Sequence, residues 1–133
     1  MLPTLIIGPP TSGKTTKAKS LAGPDDIIID ADLIAQALGS PDSHNHPGPI
    51  KALAAHLRDA ATNEVIKQGH KAYVVSASPT AENSIPHSEV IVCDPGVAEC
   101  LTRANARPRW TRDAIRRWYE SRSSNTITNR PKW

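Results

Sequence analysis

The feature that most constrains this chain is the junction between Thr4-Leu5-Ile6-Ile7 and Gly8-Pro9-Pro10-Thr11-Ser12-Gly13-Lys14-Thr15. A short apolar, β-branched run reads as a buried strand. The eight residues after it fit G-x-x-x-x-G-K-[ST], the phosphate-binding P-loop pattern. Such a loop curls backbone N–H groups around a phosphate, so glycines stand where a side chain would block the approach. A lysine reaches the β- and γ-phosphates, and a hydroxyl sits on Mg²⁺. Thr16-Lys17-Ala18-Lys19-Ser20-Leu21-Ala22 then suits a helix, which Gly23-Pro24 ends. The helix N-terminus adds the positive end of its dipole to the anion site. The expected phosphate-binding residues are Gly8, Pro9, Pro10, Thr11, Ser12, Gly13, Lys14, Thr15 and Thr16. The bland alternative is an ordinary glycine-rich turn between strand and helix.

The rest of the chain repeats the alternation. Strands are expected at residues 26–30, 71–76 and 89–93, and helices at 31–38, 50–68, 97–106 and 111–121. In the long helix, Leu53, Leu57, Ala60, Ala61 and Val65 fall at helical spacing and mark the expected core stripe. A Pro- and Ser-rich stretch, 77–87, has room for one helical turn. Strands alternating with helices imply a parallel sheet covered on both faces. Ligands then bind outside the carboxyl ends of the strands. The residues to examine are the P-loop, Asp30 to Asp32, Ser76 to Ser78, and Asp94.

The chain has 133 residues, consistent with one domain spanning 1–122 and a basic tail at 123–133, which Trp133 could anchor. Cys93 and Cys100 read as small apolar fillers rather than a bridge, which fits a reducing compartment. Met1-Leu2-Pro3-Thr4 lacks the basic start of a secretion signal, and no apolar run approaches membrane-spanning length. A soluble, cytoplasmic protein is expected. Residues 101–133 carry nine Lys/Arg against two Asp/Glu, whereas residues 1–100 carry seven against eleven. Such asymmetry points to a polyanionic partner, or to a solvated basic face.

Asp30-Ala31-Asp32 ends the second strand. Carboxylates beside a phosphate imply Mg²⁺ coordination or a general base acting on an attacking hydroxyl. Either could instead be a helix N-cap. Ser76-Ala77-Ser78 offers hydroxyls where an acidic residue might hold Mg²⁺ through water, and reads as a turn. Metal binding then rests on Thr15, with Asp30 assisting. Arg103 and Arg107 lie four apart, on one expected helix face. In a lid near 97–110 they would offset charge on a transferring phosphoryl group, and a guanidinium also stacks on adenine. Arg109 and Arg112 follow them. His44-Asn45-His46 lacks the ββα-metal setting of an HNH nuclease, and no further ligand cluster surrounds it. It reads as a polar, flexible loop near an acceptor substrate.

Taken together, the P-loop, Asp30-Ala31-Asp32 and Cys100-Leu101-Thr102-Arg103-Ala104-Asn105-Ala106-Arg107-Pro108 resemble small P-loop kinases of the polynucleotide-kinase-like group, including stand-alone bacteriophage kinases. The resemblance covers roughly residues 4–120. It implies a three-layer α/β/α fold with strand order 2-3-1-4 and ATP-Mg²⁺ as donor. It implies Asp32 as general base, and Lys14, Arg103 and Arg107 as phosphate clamps. It implies a nucleic acid or nucleotide acceptor. The family usually carries an arginine one helical turn after the catalytic aspartate, and here that position is Ala35. The expected activity is transfer to a polynucleotide 5′-OH or to a hydroxymethylated base in DNA. A kinase for small nucleosides or nucleotides and a non-kinase ATP-binding module are the alternatives.

Overall fold

Four short strands give the molecule its frame: β1 (Thr4–Ile7), β2 (Ile27–Asp30), β3 (Ala72–Ser76) and β4 (Glu89–Val92). The computed structural model describes residues 1–128. All strand pairs are parallel, in the order β2-β3-β1-β4, with Leu5 opposite both Val74 and Val90. Parallel neighbours need crossovers, and helices supply most of them. They are α1 (Lys14–Leu21), α2 (Ala31–Ala37), α3 (Gly48–Gln68), α4 (Val97–Arg103) and α5 (Trp110–Thr128). The β3–β4 connection has only a 3-10 turn at Ala81–Asn83.

Side chains alternate across each strand, so the central strands feed two cores. Leu5, Ile7, Ile29 and Val74 pack on one face with Val65 of α3. Ile6, Tyr73 and Val75 pack on the other with Ala18 of α1. The result is the three-layer, P-loop-like α/β arrangement the sequence implies. A third cluster, Cys100, Ala104 and Ile115, joins α4 to α5. Both cysteines are free thiols, with Cys100 fully buried. Among the described residues, no helix is long and apolar enough to cross a membrane.

Two expectations shift. The core face of α3 is Ala54, Thr62 and Val65, with Ala61 beside them, whereas Leu53 and Leu57 are 47% and 36% exposed. The apolar residues of α3 occupy two adjoining stripes, and the one bearing the small Ala54 faces inward. Helix α5 runs past 121 to Thr128, into the segment expected as a tail. Trp133 and the remainder of that segment lie outside the described residues.

Candidate functional site

The carboxyl ends of β1 to β4 deliver, along one edge, the residue 8–13 loop, Asp30, Ser76 and Cys93-Asp94. The loop's shape follows from its sequence. A Cβ on Gly8 would sit 2.6 Å from the Cys93 carbonyl, so nothing larger fits there. Gly13 takes φ +87° as N-cap of α1, which carries no side-chain cap. Pro9 and Pro10 have no N–H, and the Ser12 N–H is bonded to the Pro9 carbonyl at 3.2 Å. Donors for an anion therefore include the N–H groups of Thr11, Gly13 and the first turn of α1, together with Lys14 Nζ.

Thr11 is the strained member, a β-branched residue at φ +69°. Helix α4 holds it there. Thr11 Oγ1 donates to the Cys100 carbonyl at 2.9 Å, and Arg103 donates to the Thr11 carbonyl at 3.1 Å. Lys14 Nζ donates to the Pro9 carbonyl at 2.7 Å. Burial pushes its ammonium down to about 8, although Asp30, Cys93 and Asp32 pull the other way. An anion beside Lys14 would relieve that penalty.

Asp30 has two roles that the sequence left open. Its Oδ1 accepts from the Asp32 N–H at 2.8 Å and caps α2, while its Oδ2 accepts from Thr15 Oγ1 at 2.5 Å. Asp32, freed from capping, stands in the first turn of α2 with a half-exposed side chain. The described residues contain no cluster of three or more His, Cys, Asp or Glu able to hold a metal by themselves. The Thr15 hydroxyl and Asp30 carboxylate fit Mg²⁺, a cation that keeps waters and phosphate oxygens as most of its ligands. Ser76 Oγ accepts from the Ser78 N–H at 3.1 Å, as a turn-forming serine does.

The His44-Asn45-His46 segment is not a plain polar loop. Asp42 Oδ1 accepts from the N–H groups of His44 and Asn45, at 2.8 and 3.1 Å, and this Asx turn aims the loop back at α2. His46 Nε2 lies 2.7 Å from Asp32 Oδ1, and its Nδ1 lies 2.6 Å from Ser40 Oγ. His44 Nδ1 lies 3.4 Å from Asp32 Oδ2, and its Nε2 lies 3.1 Å from an Arg107 nitrogen. Arg107 can only donate, so His44 Nε2 accepts and its proton sits on Nδ1, facing Asp32. An ionised Asp32 can only accept, so His46 carries its proton on Nε2. Both imidazoles thus orient one carboxylate and leave it lone pairs for a further proton.

The arginine pair separates. Helix α4 ends at Arg103 and tightens into a 3-10 turn, Ala104–Ala106. Arg107 precedes Pro108 and is extended, at φ −108° and ψ 164°, because a residue before proline is driven out of the helical region. The shared helix face is therefore lost. Arg103 also pairs with Glu99 and borders a cleft of about 500 Å³ with Thr16, Lys17, Asp94 and Pro95. Arg107 lines a different cavity, of about 1270 Å³, with Lys14, Thr15 and Asp32. Burial pulls its guanidinium below the ordinary value, while Asp32 and Asp42 support its charge.

That larger cavity continues past Asp32 to Lys51 and Arg58 of α3 and to Trp110 and Arg117 of α5. None of these four was singled out from the sequence, nor was Ser40; His44 and His46 were placed near an acceptor, without their contacts to Asp32. Ala35, where a clamp arginine was expected, is fully buried and cannot present a guanidinium to a ligand. No family model matches the chain, and no curated protein matches it.

Proposed function

We propose that this protein is a small ATP-dependent kinase that moves a γ-phosphoryl group onto a hydroxyl of nucleic acid. The observation that carries the reading is the single cavity joining Lys14 and Thr15 to Asp32 and onward to Lys51, Arg58 and Arg117. A pocket for one small ligand measures roughly 300–1,000 Å³. At about 1270 Å³ this one has room for a donor's phosphates and part of an acceptor. Its basic lining, Lys14, Lys19, Lys51, Arg58, Arg107 and Arg117, faces only Asp32 and Glu120 as acidic residues. That balance favours two anionic ligands over one.

In this reading the P-loop holds the donor's phosphates. The 500 Å³ cleft beside Arg103 takes its nucleoside, with the guanidinium available to stack on the base. Thr15, with Asp30 behind it, would hold Mg²⁺, whose charge offsets that of the phosphates. Asp32 accepts the proton of the acceptor hydroxyl as that oxygen attacks the γ-phosphorus. The bond to the β–γ bridging oxygen breaks and ADP leaves. Lys14 and Arg107 stabilise the charge on the transferring group. Most of the acceleration comes from holding these groups in line.

An acceptor screen with γ-labelled ATP tests the proposal, offering 5′-OH oligonucleotides, hydroxymethylated DNA, nucleosides and nucleoside monophosphates. Label should pass to a polynucleotide. Transfer to none of them would sink the kinase reading. Asp32→Asn should lower transfer by about 10²–10⁴-fold, the range for loss of a general base, with ATP affinity retained. Near-normal transfer in that variant would remove Asp32 from the role.

A further inference from the structure

The far wall of the large cavity has a composition that packing does not explain. Trp110, the first residue of α5, is 45% exposed, whereas Trp118, two turns later in the same helix, is 3% exposed. Lys51 Nζ stands 5.6 Å from the centroid of the Trp110 ring. Arg58 enters the same wall, and its carboxylate partner is its own exposed neighbour, Asp59. Arg117 enters it too, with no hydrogen bond or ion pair among the described residues. The small side chains of Ala54, Ala55 and Ala114 line the same wall, and among the described residues Lys51 Nζ is the one cation placed over the indole. Glu120 is the single carboxylate on this wall.

A half-exposed indole costs free energy in water, and an excess of positive charge lining one cavity is unfavourable. Both penalties disappear against a ligand that offers an aromatic face flanked by negative charge. A nucleobase on a phosphodiester strand has that chemistry. Base–aromatic stacking is worth roughly 1–3 kcal/mol per base and tolerates any sequence, while lysines and arginines neutralise the adjoining phosphates. A base inside a duplex has both faces taken by its neighbours, so it cannot stack on Trp110 unless it leaves the helix.

We propose that this wall binds one unstacked nucleotide of a single strand, the base on Trp110 and the flanking phosphates on Lys51, Arg58 and Arg117. The inference rests on the nucleic-acid kinase reading above and adds the surface that recognises the acceptor. The strand is single before it binds, so an intact duplex, which must first expose a base, should bind more weakly.

The test is equilibrium binding, by fluorescence anisotropy, of labelled single-stranded DNA and RNA oligonucleotides, the matching DNA duplex, and a nucleoside monophosphate as competitor. Wild type, Trp110→Ala, Trp110→Phe and Arg117→Ala are compared, with ATP affinity measured in parallel as a check on folding. Trp110→Ala should weaken single-strand binding by roughly 5- to 150-fold, the stacking energy converted at a factor of ten per 1.4 kcal/mol. Trp110→Phe should recover most of it, and ATP affinity should hold in all variants. Single-strand binding by Trp110→Ala at the wild-type level would overturn the stacking site and leave the kinase reading standing. Equal affinity for intact duplex, or competition by the monophosphate at the oligonucleotide's own concentration, would overturn the unstacked strand as ligand. ATP binding with no oligonucleotide binding at all would instead remove nucleic acid as the acceptor.

Discussion

Lys14 sits where folding and function pull in opposite directions. Its ammonium titrates near 8 in the folded chain, against 10.5 for an unhindered lysine, because burial penalises the charge. Below about pH 8 both folded and unfolded chains hold the proton, and the folded one bears the full penalty. Between 8 and 10.5 the folded chain releases it first, so stability rises with pH through that window. Above 10.5 the penalty is gone. At 1.36 kcal/mol per pH unit the penalty at neutral pH is on the order of 3 kcal/mol. Lys14→Met keeps the stem and removes the charge. It should raise Tm at pH 7 by roughly 5–15 °C, a gain that fades by pH 10.5, while triphosphate binding is lost. A thermal melt series across pH checks both halves, and a lower Tm at pH 7 would contradict the burial argument. Residue identity at the loop was the most legible part of the sequence, because Gly8 and Gly13 answer to backbone sterics alone. The division of labour between Asp30 and Asp32 was not legible. Either can cap a helix, and only the register of α2 on β2 gives the cap to Asp30.

At the scale of elements, the segment between α2 and α3 changes the setting of Asp32. Its histidines are polar, lie between prolines, and carry no periodicity, so a sequence reading has no reason to fold them onto Asp32. The available signal was Asp42 two and three residues before His44 and Asn45, an Asx-turn spacing that curls the loop. His46 is the stronger partner, its side chain only 5% exposed and bonded at both nitrogens. His46→Ala should leave ATP affinity unchanged and lower kcat by about 10²-fold, the scale of a 1 Å misplacement of a reacting group. His46→Gln can still donate to Asp32 and should recover part of that loss, which a merely structural residue would not do. Steady-state kinetics on the three proteins decide it, and an unchanged kcat in His46→Ala would release Asp32 from its dependence on the loop. The break between Arg103 and Arg107 was legible in principle. Pro108 disfavours a helical residue before it, and that preference outweighs the i, i+4 spacing that would pair them.

For the molecule as a whole, the charge asymmetry of the sequence and the cationic lining of the cavity rest largely on different residues. The basic excess of residues 101–133 marks this end of the chain, yet much of it is engaged locally. Arg112 donates to Asn105, Arg116 pairs with Asp113, and Arg122 pairs with Glu82. Of the arginines on α5, Arg117 is the one that enters the cavity, and the rest of the cationic wall comes from α3, in the acidic part of the sequence. The topology, not the composition, assembles the site, since the parallel sheet places α3 and α5 around the carboxyl edge of the strands. In the proposed complex, three cations on a strand's phosphates would set an electrolyte signature. Single-strand binding loses about 0.7 of a logarithmic unit per neutralised phosphate for each tenfold rise in salt. The acceptor's Kd should therefore rise with a log–log slope of about 2 for three phosphates. Arg117→Ala should reduce that slope by about 0.7, and Arg116→Ala, on the surface beside Asp113, should leave it unchanged. A salt titration of oligonucleotide binding for the three proteins measures this directly. A flat response in the wild type would point to a small acceptor. An equal loss of slope in both variants would mean that the field of the whole basic helix, and not the cavity wall, attracts the strand.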